Sequence, residues 1–121
     1  MTDRMTLVLG ASSKPERYSF RAIKKLTALN FPVIAVGLRE GEIDGVKIHK
    51  VFPEISGIHT VTLYIGPKNQ PVYYNHIINS KPVRVIFNPG TENTEFENIL
   101  GNEGIQVVRA CTLIMLDNGT Y

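Results

Sequence analysis

The segment GASSKPERYS, Gly10 to Ser19, gathers the groups that hold an anion, between a short apolar run and the start of a helical periodicity. Gly10 permits a tight turn there. A helix that opens after such a turn presents unpaired backbone N–H groups, and the positive end of its dipole, to whatever lies above it. Ser12, Ser13 and Ser19 add hydroxyl donors, and Lys14 and Arg17 add charge; a guanidinium can grip two phosphate oxygens at once. The plainer alternative is a polar strand-to-helix turn with Ser19 as an ordinary cap. Position favours the anion site, because ligands of strand-helix folds collect beyond the carboxyl ends of the strands. The segment is not the dinucleotide fingerprint, since Ser12 and Pro15 stand in the stretch where the later glycines of GxGxxG belong, nor is it a P-loop.

Three further segments end apolar runs. After Pro32–Val36 come Gly37, Leu38 and Arg39. A domain that binds NAD places an Asp or Glu at this point, on the ribose diol. Arg39 in its stead suits a ribose that carries a phosphate, as in NADP or coenzyme A, and equally suits an ordinary solvated loop. After Thr60–Ile65 come Gly66 and Pro67, which with Ile65 either floor an adenine pocket or punctuate a loop. After Val83–Phe87 come Asn88, Pro89, Gly90, Thr91, Glu92 and Asn93, a polar turn whose own pattern reads as structural.

Bringing these four segments to one edge requires particular elements. Thr6–Gly10 and Pro32–Val36 lack the alternation of a sheet open to water on one face and read as buried strands, as does Thr60–Ile65 on its β-branched content. Between Arg17 and Asn30, Ala22, Ile23, Leu26 and Leu29 form one helical stripe, with Phe20 off it. Pro67 opens a second helix on which Tyr73, His76, Ile77 and Ser80 share a face, ending before Pro82. Val83–Phe87 is the fourth strand. Thr94 and Glu97, in capping-box spacing, start a third helix that carries Phe96, Ile99 and Leu100 and stops at Gly101 and Gly104. Ile105–Val108 is a fifth strand, and Thr112–Leu116 is expected as a sixth, at the edge. Strands alternating with helices through short connections predict one α/β domain over residues 1–121, with three layers and a mainly parallel five-stranded sheet whose first strand is central.

With 43% of its residues apolar, a chain of 121 residues can build one core without disulfides or metal. Thirteen Lys and Arg against eleven Asp and Glu leave +2, too little for a sequence-independent grip on nucleic acid, so any phosphate is held locally. The single cysteine, Cys111, excludes an internal disulfide and fits a reducing compartment. The run Leu7–Leu9 is far too short for a secretory segment or a membrane span, and the protein reads as cytoplasmic.

No catalytic constellation emerges. His49, His59 and His76 fall in different elements without metal-ligand spacing, and Glu92 and Glu95 suit the start of a helix. Cys111 is expected as a small buried side chain; exposed and with a lowered pKa, it would instead exchange disulfides with a thiol.

GASSKPERYS resembles the G-x-S-x-x-P-x-R-x-S motif that opens the CoA-binding domains, small Rossmann-like proteins similar to the nucleotide domain at the N-terminus of the succinyl-CoA synthetase alpha subunit. The resemblance covers nearly the whole chain. Ile43, Gly45 and Pro53, the Pro67 turn, the Asn88 to Gly90 turn and Cys111 follow in family order, whereas Gly37 and Leu38 stand where many relatives carry Asn-Pro. It implies a Rossmann-like fold that binds coenzyme A or acyl-CoA. The pyrophosphate would lie over Gly10, Ala11, Ser12 and the helix start at Ser19, with charge from Arg17; adenosine would lie near Gly37, Arg39, Ile65 and Pro67, and the pantetheine arm would run toward Asn88, Pro89 and Gly90. The synthetase carries its phosphorylated histidine on a separate domain, so the resemblance implies a stand-alone CoA-binding module rather than a catalyst. An NADP-binding module, an acyl-CoA enzyme or partner subunit working through Cys111, and an interaction domain whose nucleotide site has decayed stay open, as does whether the chain pairs with itself or with another protein.

Overall fold

The apolar runs are short and unalternated because both faces of each strand are covered. In the computed structural model, which describes residues 4–121, β1 (Thr6–Leu9), β5 (Thr60–Leu63) and β6 (Arg84–Phe87) are buried at every position. With β2 (Val33–Val36), β3 (Gly41–Ile43), β4 (Val46–His49) and β7 (Gln106–Arg109) they form one sheet in the order β3-β4-β2-β1-β5-β6-β7. All neighbours are parallel except β3 and β4. β1 is central as expected. From it the chain builds outward through β2 to β4, then returns to lay β5, β6 and β7 on the other side, so the strand order reverses at β1.

Alternate residues of the strands feed two cores. Leu7, Leu9, Val61, Leu63, Val85 and Phe87 pack with Ile77 of α2 (Tyr74–Asn79) and with Phe96 and Leu100 of α3 (Thr94–Asn102). Val8, Ala35 and Ile48 pack on the opposite face with Ile23 and Leu26 of α1 (Tyr18–Ala28) and Leu116 of α4 (Thr112–Asn118). The expected stripe Ala22, Ile23 and Leu26 is buried, while Leu29, just past the helix, is exposed.

Four local expectations need correction. Thr112–Leu116 is the helix α4 and not an edge strand; a short apolar run has no period long enough to separate the two, and here the buried Thr112 and Leu116 seat one face on the sheet. The sheet gains two strands that the reading missed, β3 and β4, an antiparallel hairpin turned by Asp44 and Gly45 at φ 47° and 85°; Asp-Gly is the signal for that turn. The helix expected from Pro67 is interrupted. Two single 3-10 turns, Pro67–Asn69 and Pro71–Tyr73, precede α2, because Pro71 has no N–H to continue a helix. Caps also shift: Arg17 precedes α1 without a side-chain cap, leaving Ser19 buried inside the first turn. Asn93 takes the cap of α3 instead of Thr94, its Oδ1 accepting from the Phe96 N–H and its own N–H donating to Glu97 Oε2. Gly101 lies within α3, and Gly104, at φ 76°, follows its end.

The amino ends of β1, β5 and β6 carry a polar knot under Tyr121. Arg84 is buried, with its Nε donating to Thr60 Oγ1 at 2.8 Å and its guanidinium 4.5 Å from the centre of the Tyr121 ring. His59 Nδ1 shares the same hydroxyl at 2.7 Å. Burial holds the His59 pKa below its usual 6.5, and the charges of Arg84 and Arg4 hold it lower still. The unfolded chain therefore takes up this proton first. Stability from His59 is complete above about pH 7.5 and is lost as pH falls through the unfolded value toward the folded one. Melting temperatures across pH 8 to 5 are expected to drop less for His59→Gln than for the wild type; equal drops would remove His59 as a source of acid sensitivity.

Candidate functional site

The reversal of strand order places the carboxyl ends of β1, β2, β5 and β6 side by side, and the four segments picked out in the sequence lie on those ends. Gly10 leaves β1 at φ 93°, and a Cβ there would stand 2.7 Å from Ile65 Cγ2 and 2.8 Å from the Tyr64 carbonyl. The turn is thus built against the segment after β5. Gly37 is equally constrained, since its Cβ would fall 2.2 Å from the Ala11 carbonyl oxygen. The Gly10 and Ala11 N–H groups both donate to the Val36 carbonyl at 2.9 Å, and the Gly37 N–H donates to the His49 carbonyl at 2.9 Å. These residues shape the turn, and their amides are already engaged.

Unengaged backbone donors therefore begin further on. The hydroxyl of Ser12 accepts from the Lys14 N–H at 3.2 Å, and the Lys14 carbonyl from the Arg17 N–H at 3.0 Å, which curls the segment into the start of α1. The first-turn amides of Tyr18, Ser19 and Phe20 have no carbonyl four residues back within the helix. No acidic residue sits in that turn. Lys14, Arg17 and Arg39 are exposed, and none joins an ion pair among the described residues. Lys14 and Arg17, with Glu16 between them, lie exposed in the segment after β1, and Arg39, with Glu40 next to it, in the segment after β2, where Leu38 is 85% exposed.

The segment after β5 presents a half-buried Ile65, an open Gly66 with nothing within 4 Å of a Cβ, and an exposed Pro67. Beyond β6, the side chain of Asn88 is spent inside the protein. Its Nδ2 donates to Thr62 Oγ1 at 2.7 Å and to the Leu63 carbonyl at 2.8 Å, and its Oδ1 accepts from the Thr112 N–H at 2.8 Å. Pro89 and Gly90 are exposed, with the Gly90 N–H donating to Glu92 Oε1 at 2.9 Å. Asn88 thus ties β5, β6 and α4 together, and only the crest of its turn faces outward.

Two groups passed over in the sequence also stand at this edge. Gln70 is fully buried between the segments after β5 and β6, with no local pattern to single it out. Tyr64 packs partly buried against the α1 and α4 side of the core, and burial pushes its pKa up to about 12 against the opposing Thr112 and Thr62 hydroxyls, with Cys111 adding to the rise. Cys111 is half-exposed, just before α4, and its thiol makes no hydrogen bond among the described residues. Glu92 serves Gly90, and Glu95 accepts from the Tyr74 hydroxyl at 3.2 Å. Among the described residues no group of three or more His, Cys, Asp or Glu is placed to hold a metal ion, and no helix is long and apolar enough to cross a membrane. Two hollows of about 450 Å³ each, around Pro53–Ser56 with His76–Ser80 and around Ile78–Pro82 with Glu103–Ile105, are built from segments leading into strands and contain none of these site residues.

Comparison with known proteins separates fold from function. No curated protein matches the chain. Among solved structures, one described as an uncharacterized protein is 47% identical, with a TM-score of 0.95 over 100% of both chains. A hypothetical protein from Pyrococcus horikoshii OT3 is 27% identical, with a TM-score of 0.84 over 96% of this chain and 82% of that one. A Thermus thermophilus protein, 20% identical with a TM-score of 0.85 over 98% and 91%, shares the Rossmann-like fold. The family model described as CoA binding domain matches residues 4–117, a span that takes in every strand and every segment of the site. On that match, the chain belongs to the CoA-binding domain family.

Proposed function

We propose that this chain is a coenzyme A-binding module that lays its ligand across the carboxyl ends of β2, β1, β5 and β6. The observation that carries the reading is the start of α1: free first-turn amides, no carboxylate in the turn, and Lys14 and Arg17 without an acidic partner, directly beyond the central strand. The pyrophosphate sits there, over Ser12 and the α1 start, with Gly10 and Ala11 beneath it as turn rather than as donors. Arg39 faces the ribose phosphate, Ile65 and Pro67 border the adenosine, and the arm passes the crest formed by Pro89 and Gly90. An unpaired Cys111 suits a reducing, cytoplasmic setting.

Titration calorimetry with coenzyme A, acetyl-CoA, dephospho-CoA, NADP and NAD tests the reading. Arg17→Ala is expected to weaken coenzyme A by about 1.5–3 kcal/mol, the worth of a charge-assisted hydrogen bond. Arg39→Ala is expected to weaken coenzyme A while leaving dephospho-CoA, which lacks the ribose phosphate, within about twofold, a difference near the error of such measurements. A wild type that prefers NADP would transfer the site to that ligand, and an unchanged Kd in both variants would remove the cations from it.

A further inference from the structure

The segment after β5 that would border the adenosine and the segment after β6 that the coenzyme's arm would pass are joined through the buried side chain of Gln70. Gln70 lies between the two 3-10 turns and is fully buried. A primary amide in that position is costly unless its hydrogen bonds are made, and here they are. Its Nε2 donates to the Ile65 carbonyl at 3.1 Å and to the Thr91 carbonyl at 2.7 Å, while its Oε1 accepts from Asn93 Nδ2 at 2.9 Å. Asn93 is itself pinned. It donates to the Tyr74 hydroxyl at 2.8 Å and caps α3, and its N–H reaches Glu97. Burial works against the Glu97 charge, but the Arg109 guanidinium and this N–H outweigh it and hold the carboxyl below its usual range.

The chain of contacts continues toward the anion turn. Ile65 is the residue against which Gly10 is packed, so the Gln70 amide fixes the Ile65 backbone on one side and the Thr91 backbone on the other. We propose that Gln70 is a positioning residue: it sets the gap between the segments after β5 and β6, and that gap decides whether the site holds the pantetheine arm as well as the nucleotide. The inference rests on the coenzyme A reading. It assigns no contact between Gln70 and ligand; Gln70 acts through the walls it holds.

The test compares coenzyme A with adenosine 3′-phosphate 5′-diphosphate, which keeps both anionic groups and lacks the arm. Q70E preserves shape but turns a carboxylate oxygen toward two carbonyl oxygens, so the walls part. Its affinity for coenzyme A is expected to fall by about tenfold or more, and that for the arm-free nucleotide by a distinctly smaller factor, since Ile65 borders the adenosine as well. Q70M, which fills the volume without polar atoms, is expected to show the same split should Q70E fail to fold. Acidification returns a proton to the carboxyl of Q70E and with it one donor, so its deficit is expected to shrink at low pH while that of Q70M does not. Equal losses for both ligands, or none for either, would overturn the positioning role. A wild type that binds neither ligand would overturn the coenzyme A reading itself.

Discussion

Gly37→Ala is expected to weaken ligand binding by about tenfold or more while leaving a folded, less stable protein. The added Cβ falls 2.2 Å from the Ala11 carbonyl oxygen, which is backbone and cannot swing away as a side chain would. Ala11 is held in turn by its N–H to the Val36 carbonyl, one residue before the substitution. Relief must come from moving the turn that carries Ser12, Lys14 and the start of α1, or from lifting the end of β2. Overpacking of this kind costs about 1–3 kcal/mol of stability. Displacing the donors from the phosphates should cost binding a further tenfold or more, about 1.4 kcal/mol. Gly66→Ala is the matched control, since its Cβ meets nothing within 4 Å, and its stability should stay within about 0.5 kcal/mol of wild type. If Gly66→Ala melts normally yet binds weakly, the ligand itself occupies that open space. A Gly37→Ala protein with unchanged melting temperature and unchanged Kd would show that the Ala11 contact does not govern the site.

The second large effect is on the fold, at a residue toward which the family resemblance, though not the turn's own pattern, directed the pantetheine arm. Asn88→Ala strips two donors and an acceptor from a buried position, leaving Thr62 Oγ1, the Leu63 carbonyl and the Thr112 N–H each short of a partner. Thr62 Oγ1 retains its 2.8 Å contact with Thr112 Oγ1, so the heavier losses fall on the two backbone groups. An unsatisfied buried group costs about 1–3 kcal/mol; the variant should lose about 3–5 kcal/mol in urea unfolding. Because Asn88 anchors the first residue of α4, far-ultraviolet circular dichroism should also lose helix early in the transition. A loss under about 1 kcal/mol would mean that water replaces the side chain without strain.

Both predictions turn on how much of this site was written locally. The turn after β1 was legible because its logic is local: a glycine ending a buried strand, hydroxyls and cations following it, and a helix whose first amides lack partners wherever such a helix stands. Sheet membership of the central strands was legible for a similar reason, since unbroken apolar runs such as Thr6–Leu9 record burial on both faces. Even the missed hairpin left its mark in Asp44-Gly45.

What stayed hidden depends on partners distant in the chain. Thr112–Leu116 has too few residues to show a period, and only the sheet beneath it and Asn88, 24 residues earlier, make it helical at its first N–H. Asn88 and Gln70 look alike in the sequence, two polar amides near turns, yet both are buried and, apart from the Gln70 bond to Ile65, engaged in joining strands or loops 21 to 26 residues apart. The Gly10 and Ala11 amides, over which the resemblance lays the pyrophosphate, are both taken by the Val36 carbonyl once β2 comes alongside. Propensity and spacing reveal which groups a segment offers. Which of them remain available to a ligand is decided when folding brings competing acceptors within three ångströms, and that assignment exists only in the assembled sheet.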